Sequence, residues 1–215
     1  MLEGCNLSFR YGSSLPWVFR SLSIELAPGE IVGLYGPSGK GKSTLAKVLA
    51  GYLSPVSGSV QINTKPLDAQ RCSPVQLLYQ HPELAINPRW KTKKVLSEGY
   101  TPSSEILQNF GVRQEWLNRY PHELSGGELS RIAIVRALCP QTRYLIADEM
   151  TSMLDTVTQA RIWRAVLDFA KSMRLGMLVI SHDRVLLSKL CGRIANWDEL
   201  SGSNKGCSLP FLGHC

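Results

Sequence analysis

The sequence predicts an α/β fold in which helices flank a largely parallel sheet. Three short apolar stretches, at 31–35, 143–147 and 177–180, have the length and composition of buried strands, and each runs directly into glycine or polar residues. Helical spacing of apolar residues follows the first stretch, over 43–52, and separates the other two, over 156–174. Strands that alternate with helices favour a parallel sheet, and the carboxyl-terminal ends of its strands are the usual place for a site.

The remaining chain has two other patterns. Residues 4–9 and 22–26 alternate in polarity, which predicts short strands before the first apolar stretch, and 60–62 resembles one more. The segment at about 88–138 is helical and richer in charge, with breaks at Thr101-Pro102, Gly111 and Tyr120-Pro121. We expect its densest basic cluster (Lys91, Lys93 and Lys94) to lie on a solvated helix face.

The size and composition suit a single domain. With 215 residues, of which 44% are hydrophobic, the chain can bury a sizeable core. We expect one domain over 1–205, a helical subdomain inserted at about 88–138, and a short tail at 206–215. There is no run of about 18 apolar residues and no basic start followed by an apolar stretch, so we expect a cytosolic protein.

The net charge of +7 and the six cysteines suggest no further function. The basic residues are scattered and form no nucleic-acid arm, so no nucleic-acid partner is expected. The cysteines lack CxxC or zinc-type spacing and should be reduced thiols in a cytosolic chain. A metal site at Cys207, His214 and Cys215 is an alternative that their irregular spacing disfavours.

A phosphate-binding loop follows the first apolar strand. Residues 36–43 match G-x-x-x-x-G-K-[ST] between a strand and a helix, so backbone N–H groups and the helix N-terminus can surround a β-phosphate. Lys42 should reach the β- and γ-phosphates, Ser43 should bind Mg²⁺, and Thr44 should contact the α-phosphate. The alternative, a glycine turn that binds nothing, conflicts with this context. The residues expected to contact nucleotide are Gly36, Pro37, Ser38, Gly39, Lys40, Gly41, Lys42, Ser43 and Thr44.

Polar side chains close three other strands. Asp148 and Glu149 end the second apolar strand, and we assign Asp148 to Mg²⁺ and Glu149 to the general base that polarises the attacking water. His182 follows the third strand and is expected to contact the γ-phosphate, although a lone histidine is more often structural. Gln80, after the apolar Leu77–Tyr79, is expected to coordinate Mg²⁺ or the water.

Two more features point to a nucleotide. Tyr11, in a turn after Phe9, is predicted to stack on adenine; a tyrosine packed at a strand edge is the alternative. Ser125, Gly126 and Gly127 open a helix and would present a hydroxyl and free N–H groups to a γ-phosphate, although a capped helix start explains them locally. Because the loop at 36–43 already accounts for one nucleotide, this second phosphate-binding helix start predicts a site shared with another nucleotide-binding domain.

In this order, over roughly residues 1–200, the motifs resemble the nucleotide-binding cassettes of ABC transporters. The resemblance implies a P-loop NTPase (RecA-like) core with an N-terminal antiparallel β subdomain and an inserted α-helical signature subdomain. It places Asp155 in the D-loop, among the nucleotide-binding residues. It also implies two cassettes that pack head to tail, close on two ATP molecules and open after hydrolysis.

A closer similarity is to the ATPase subunits of peptide and nickel importers, in Gln80-His81-Pro82 and in 85–89. It implies an ATPase that powers import of peptides or of nickel or metal chelates. Its expected partners are a second ATPase subunit, identical or different, two permease subunits and, indirectly, a solute-binding protein. The permeases would hold it at the cytoplasmic face of the membrane. Glu128 and Met150 replace the usual glutamine and proline, but no catalytic group is lost, so we expect an active enzyme.

Two alternatives belong to other classes. A soluble ABC-type ATPase that acts on ribosomes or DNA usually carries two cassettes or a long coiled-coil insertion, and neither is evident. In a P-loop kinase or another NTPase, the helix start at 125–127 and His182 would be coincidences. Membrane association separates the importer from the first alternative, and a shared ATP site separates it from the second.

Overall fold

The computed structural model describes residues 1–67 and 73–202. The strands in these ranges are β1 (Leu2–Phe9), β2 (Phe19–Leu26), β3 (Ile31–Tyr35), β4 (Ser57–Ile62), β5 (Lys65–Pro66), β6 (Val75–Leu78), β7 (Tyr144–Asp148), β8 (Gly176–Ser181) and β9 (Arg193–Asn196). The α-helices are α1 (Lys42–Leu49), α2 (Thr92–Leu96), α3 (Ser104–Asn109), α4 (Gly126–Ala137), α5 (Thr156–Met173), α6 (Arg184–Leu190) and α7 (Trp197–Gly202). Short 3₁₀ turns lie at Pro82–Ala85, Gln114–Asn118 and Pro121–Glu123.

A five-stranded parallel sheet forms the centre of the molecule. Its strand order is β6-β7-β8-β3-β9, and every pairing in it is parallel. All residues of β7 and β8 are buried, as expected for strands covered on both faces. The predicted α/β class and its parallel sheet are therefore confirmed, and the strands end at one common edge.

A second, antiparallel sheet contains the N-terminal strands in the order β2-β1-β4-β5. Its apolar face shares one core with α1 and with β3 and β8 of the parallel sheet. Leu45, Val48 and Leu49 of α1 are almost fully buried in that core. The antiparallel sheet is thus held against the helix that begins directly after the phosphate-binding loop.

The segment at 88–138 is helical but interrupted, as the sequence predicted. The chain leaves α2 before Thr101-Pro102, passes Gly111 at φ +63°, and begins a new 3₁₀ turn at Pro121. Its apolar residues form a second core with α5 and with the opposite face of the parallel sheet. The division into one domain over 1–205 with an inserted subdomain stays a prediction.

Three elements near the end of the described chain, α6, β9 and α7, were not predicted. β9 pairs with β3 at the sheet edge, and Arg193 in it forms an ion pair with Glu30 at 2.7 Å. α7 follows β9 without an intervening residue. β9 and α7 therefore lie beside the loop that follows β3, and the sequence pattern did not reveal this neighbour.

The cysteine prediction needs a correction. Cys139 is 2% exposed and disulfide-bonded, so the expectation of reduced thiols is wrong for this residue. That expectation rested on the cellular compartment alone. The alternative metal site at Cys207, His214 and Cys215 lies outside the described residues.

Within residues 1–67 and 73–202, no helix combines the length and the hydropathy that a membrane span requires.

Candidate active site

Four predicted groups of site residues lie side by side at one edge of the parallel sheet. The order β6-β7-β8-β3 places Gln80 beyond β6, the pair Asp148-Glu149 at the end of β7, His182 after β8 and the glycine loop after β3. Parallel strands bring their carboxyl ends to the same edge, which is where α/β sheets bind ligands. The fold therefore assembles groups as far apart in sequence as Gly36 and His182.

The loop holds the Lys42 ammonium among backbone carbonyls. Lys42 is 5% exposed, and its Nζ donates to the carbonyl oxygens of Gly36 and Pro37, each at 2.7 Å. Burial lowers the pKa of Lys42, while the charges of Glu149 and Asp148 oppose that shift. The other predicted loop residues at 37–40 are exposed between β3 and α1, so their backbone is open to a ligand.

Asp148 is a buried carboxylate that faces the loop. It is 8% exposed. Burial raises the pKa of Asp148, and the neighbouring Glu149 adds to the shift, while Ser43 and Lys42 oppose it. A carboxylate oxygen and a hydroxyl oxygen are a donor set that Mg²⁺ prefers. The residues present thus fit a divalent cation at this position.

Glu149 and His182 contact each other across two neighbouring strands. His182 Nδ1 lies 2.9 Å from Glu149 Oε1, and the Glu149 backbone N–H donates to the Ile180 carbonyl at 3.1 Å. Glu149 has a φ of +49°, a left-handed backbone conformation that is uncommon for residues other than glycine. The Glu149 side chain is 15% exposed and that of His182 is 59% exposed. A carboxylate in contact with an imidazole at a site edge can accept a proton and orient a water.

A buried polar cluster behind Glu149 was missed by the sequence analysis. Thr151 Oγ1 accepts hydrogen bonds from Trp163 Nε1 at 3.0 Å and from Gln159 Nε2 at 2.9 Å. With Glu149 and His182, these residues line a cavity of about 190 Å³. Only the position of Thr151, two residues after Glu149, could have drawn attention to this cluster.

Tyr11 lies beside the first turn of α1. Its hydroxyl is 3.0 Å from Thr44 Oγ1, and its ring meets Phe9 edge-on at a centroid distance of 5.0 Å. The side chain is 61% exposed, which leaves ring surface open to a ligand. This geometry is compatible with the predicted adenine contact, which stays a prediction.

Ser125 caps α4 in a reciprocal arrangement with Glu128. Ser125 Oγ accepts from the Glu128 N–H at 3.3 Å, and Glu128 Oε2 accepts from the Ser125 N–H at 2.8 Å. These bonds hold the pKa of Glu128 below its usual value. Ser125 and Gly126 are exposed, so the helix start faces solvent. The glutamate that replaces the usual glutamine therefore completes a capping box.

Asp155 also caps a helix. Its carboxylate accepts from the N–H groups of Val157 and Thr158 at the start of α5. Its expected contact with nucleotide stays a prediction.

Known proteins are similar to this chain in sequence and in fold. The sequence profile of the family described as ABC transporter matches residues 19–152. The nickel import ATP-binding protein NikE of Escherichia coli (strain K12) is 34% identical over 201 residues, which cover 85% of this chain and 75% of that protein. The chain belongs to the ABC transporter family. Its predicted class, an ATPase with an ABC cassette fold, is confirmed.

Further similarities support the ABC cassette fold. A putative peptide import ATP-binding protein of Brucella ovis is 29% identical over 197 residues, or 82% of this chain and 62% of that protein. The dimeric structure of the ATP-binding cassette MJ0796 in a post-hydrolysis state, bound to ADP and Pi, has a TM-score of 0.78 at 22% identity. It covers 91% of this chain and 94% of its own.

Proposed function

We propose that this chain is the ATP-hydrolysing subunit of an ABC importer for peptides or for nickel or metal chelates. The names of two relatives, a nickel and a peptide import ATP-binding protein, support this cargo class. The observation that carries the proposal is the contact of Glu149 with His182 beside the buried Asp148 and the glycine loop. These groups form the parts that phosphoryl transfer to water requires.

In the proposed reaction the loop binds the triphosphate of ATP. Backbone N–H groups of 37–41 and the start of α1 surround the β-phosphate, and the Lys42 ammonium moves from its carbonyl partners to the β- and γ-phosphates. Ser43 and Asp148 would hold Mg²⁺, with Gln80 as a further oxygen ligand. The cation neutralises charge on the β- and γ-phosphates when bound. Tyr11 offers its exposed ring to the adenine.

Glu149 is the proposed general base. Its carboxylate accepts a proton from the water that attacks the γ-phosphorus, while the bond to the β,γ-bridging oxygen breaks and ADP departs with the electron pair. His182 holds Oε1 of Glu149 through Nδ1, which leaves Nε2 to contact the γ-phosphate. The pair therefore fixes the direction from which water attacks.

The second half of the site is proposed to come from another cassette. Ser125, Gly126 and Gly127 would grip the γ-phosphate bound by the partner, and Asp155 would lie at the same interface. ATP-driven dimerisation would then pull on two permease subunits, which hold the pair at the cytoplasmic face of the membrane and receive cargo from a solute-binding protein. The partner cassette is a second copy or a different chain.

Glu149→Gln tests the base and the shared site together. We expect turnover to fall by about 10²-fold or more, because proton transfer is lost while the loop that binds ATP is unchanged. The variant should then accumulate as an ATP-bound dimer, which size-exclusion chromatography with light scattering measures. Glu115→Gln, at an exposed glutamate paired with Arg113, should turn over ATP as the parent does. A Glu149→Gln protein that stays monomeric and active contradicts the mechanism.

Ser125→Arg tests the grip from the partner. The arginine should obstruct the exposed helix start and block hydrolysis, while ATP binding at the variant's own loop is retained. ATP affinity and turnover are measured on the same preparation. Unchanged turnover would show that α4 does not act on a nucleotide.

Co-expression with the permease subunits tests the importer role. The chain should move to the membrane fraction when they are present. If it stays soluble and sediments with ribosomes, the ribosome-acting alternative replaces the importer.

A further inference from the structure

The side chain of Trp197 lies directly against the phosphate-binding loop. β9 pairs in parallel with β3, with Asn196 opposite Tyr35, so the next residue of each strand brings Trp197 beside Gly36. A Cβ atom placed on Gly36 would lie 2.7 Å from Trp197 Cβ. Such a distance is too short for any side chain at position 36, so the loop and Trp197 are in tight contact.

The indole ring reaches the other end of the same loop. A Cβ atom on Gly41 would lie 3.2 Å from Trp197 Cζ2 and 2.5 Å from a methyl carbon of Val18. Trp197 is 2% exposed, so its ring is enclosed beneath the loop. One rigid side chain therefore contacts both glycines that bound residues 37–40.

Trp197 also begins a row of aromatic rings. Phe19 meets it at a centroid distance of 6.1 Å and an interplanar angle of 79°, and Phe9 lies 6.1 Å from Phe19. The row ends at Tyr11, which is 5.0 Å from Phe9 and whose hydroxyl contacts Thr44. The row connects the floor of the loop with the ring proposed to face adenine.

A glycine-rich loop needs support of this kind. Its N–H groups bind phosphate only if they converge, and glycine has more backbone freedom than any other residue. Gly39 and Gly41 have φ values of +77° and +105°, which other residues rarely adopt. Residues 37–40 are exposed and pack against little, so the contacts that hold the loop are concentrated at its two ends.

We propose that Trp197 is a positioning residue for the phosphate-binding loop, which fixes the separation of Gly36 and Gly41 at which the loop N–H groups converge on phosphate. Through Phe19 and Phe9 it also fixes the distance between the loop and the Tyr11 ring. The inference rests on the proposed function, in that the loop binds ATP. Trp197 touches no reacting atom, and its effect is on ATP affinity.

The test compares Trp197→Leu with Trp116→Leu. Trp116 is a matched control because it is 3% exposed and buried in the second core, within the helical segment. Both substitutions should lower the free energy of unfolding, measured by urea denaturation. Displacement of a fluorescent ATP analogue by ATP should show the Kd raised by about tenfold or more for Trp197→Leu, equal to about 1.4 kcal/mol, and changed by less than twofold for Trp116→Leu.

A conservative variant and a spectroscopic signal keep the test decisive if Trp197→Leu does not fold. Trp197→Phe keeps a ring beside Phe19 and should bind ATP with a Kd between those of the parent and Trp197→Leu. In a Trp17→Phe background, which removes an exposed indole next to Arg10, ATP should change the tryptophan fluorescence. That change should disappear in Trp197→Phe and persist in Trp116→Phe.

The outcomes separate this inference from the proposed function. If the parent protein binds no ATP, the proposed function fails. If the parent binds ATP and Trp197→Leu binds it equally well, the positioning role is overturned. Equal loss of affinity in Trp197→Leu and Trp116→Leu would also overturn it, because general destabilisation would then explain the effect.

Discussion

Replacing Thr151 by valine is expected to lower the free energy of unfolding by about 1–3 kcal/mol. Thr151 is 2% exposed, and its hydroxyl oxygen accepts from Trp163 Nε1 at 3.0 Å and Gln159 Nε2 at 2.9 Å. Valine has nearly the same shape but accepts no hydrogen bond. The Trp163 indole N–H, in a side chain that is 4% exposed, would then be buried without a partner.

Most of this cost should come from Trp163. Gln159 is half-buried and can turn its amide towards water, whereas the indole is enclosed by the second core. A buried donor left unpaired loses its full desolvation energy, which is the source of the 1–3 kcal/mol range. For a chain of this length the same loss corresponds to a fall in Tm of about 3–10 °C.

A double-mutant cycle with Trp163→Phe isolates the bond. Phenylalanine removes the donor, so Thr151→Val should cost about 1–2 kcal/mol less in that background than in the parent, as measured by urea denaturation. Thr92→Val is the control, because Thr92 is equally buried but donates to the Arg119 carbonyl. Its cycle with Trp163→Phe should be additive. Strict additivity for Thr151 and Trp163, or a Thr151→Val protein as stable as the parent, would refute this reasoning.

Two other predictions concern Tyr11 and Glu128. Tyr11→Phe removes only the hydroxyl contact with Thr44 and should leave the Kd for ATP within about threefold of the parent value. Tyr11→Ala should raise the Kd about tenfold, because the stacking surface is lost. Equal effects of the two substitutions in a displacement titration would assign the binding energy to the hydroxyl. The pKa of Glu128 lies below its ordinary value of 4.5 because the carboxylate accepts a hydrogen bond from the Ser125 N–H. The charge of Glu128 therefore stabilises the fold above pH 4.5, and this contribution is lost as the pH falls through the lowered pKa. Glu128→Gln should therefore melt about 1–4 °C below the parent at pH 7, and the difference in Tm should shrink as the pH falls through the lowered pKa. A difference that stays constant with pH would show that charge plays no part.

The residues at the strand ends could be predicted because their signal is local. Asp148 follows a run of apolar residues directly, and His182 follows another after the single residue Ser181. A buried strand that ends in polar side chains is visible without knowledge of the fold. The contact of His182 with Glu149 could not be predicted in the same way. It depends on β7 and β8 being neighbours, and strand order follows from packing between distant segments.

Trp197 and the cluster at Thr151 escaped prediction for a different reason. β9 has four residues at the sheet edge, most of them half-buried, so it lacks the apolar run that marks β7 and β8. In the sequence, Trp197, which follows β9, therefore looks like an isolated aromatic residue with no indicated role. Trp163 fits the apolar face of α5, and nothing in that periodicity reveals its hydrogen bond to Thr151.

At Glu149, the backbone conformation puts the requirement for ATP hydrolysis in conflict with the requirement for thermal stability. A φ of +49° is left-handed, and a glutamate there costs roughly 1–2 kcal/mol relative to the right-handed region, whereas glycine adopts it freely. Selection for heat resistance alone would therefore favour glycine or asparagine at this position, and Glu149→Gly should melt no lower than the parent although it lacks the proposed base. Selecting variants by melting temperature alone would therefore favour substitutions that abolish ATP hydrolysis. A thermostable form of this cassette has to be selected by its rate of ATP hydrolysis as well as by its Tm.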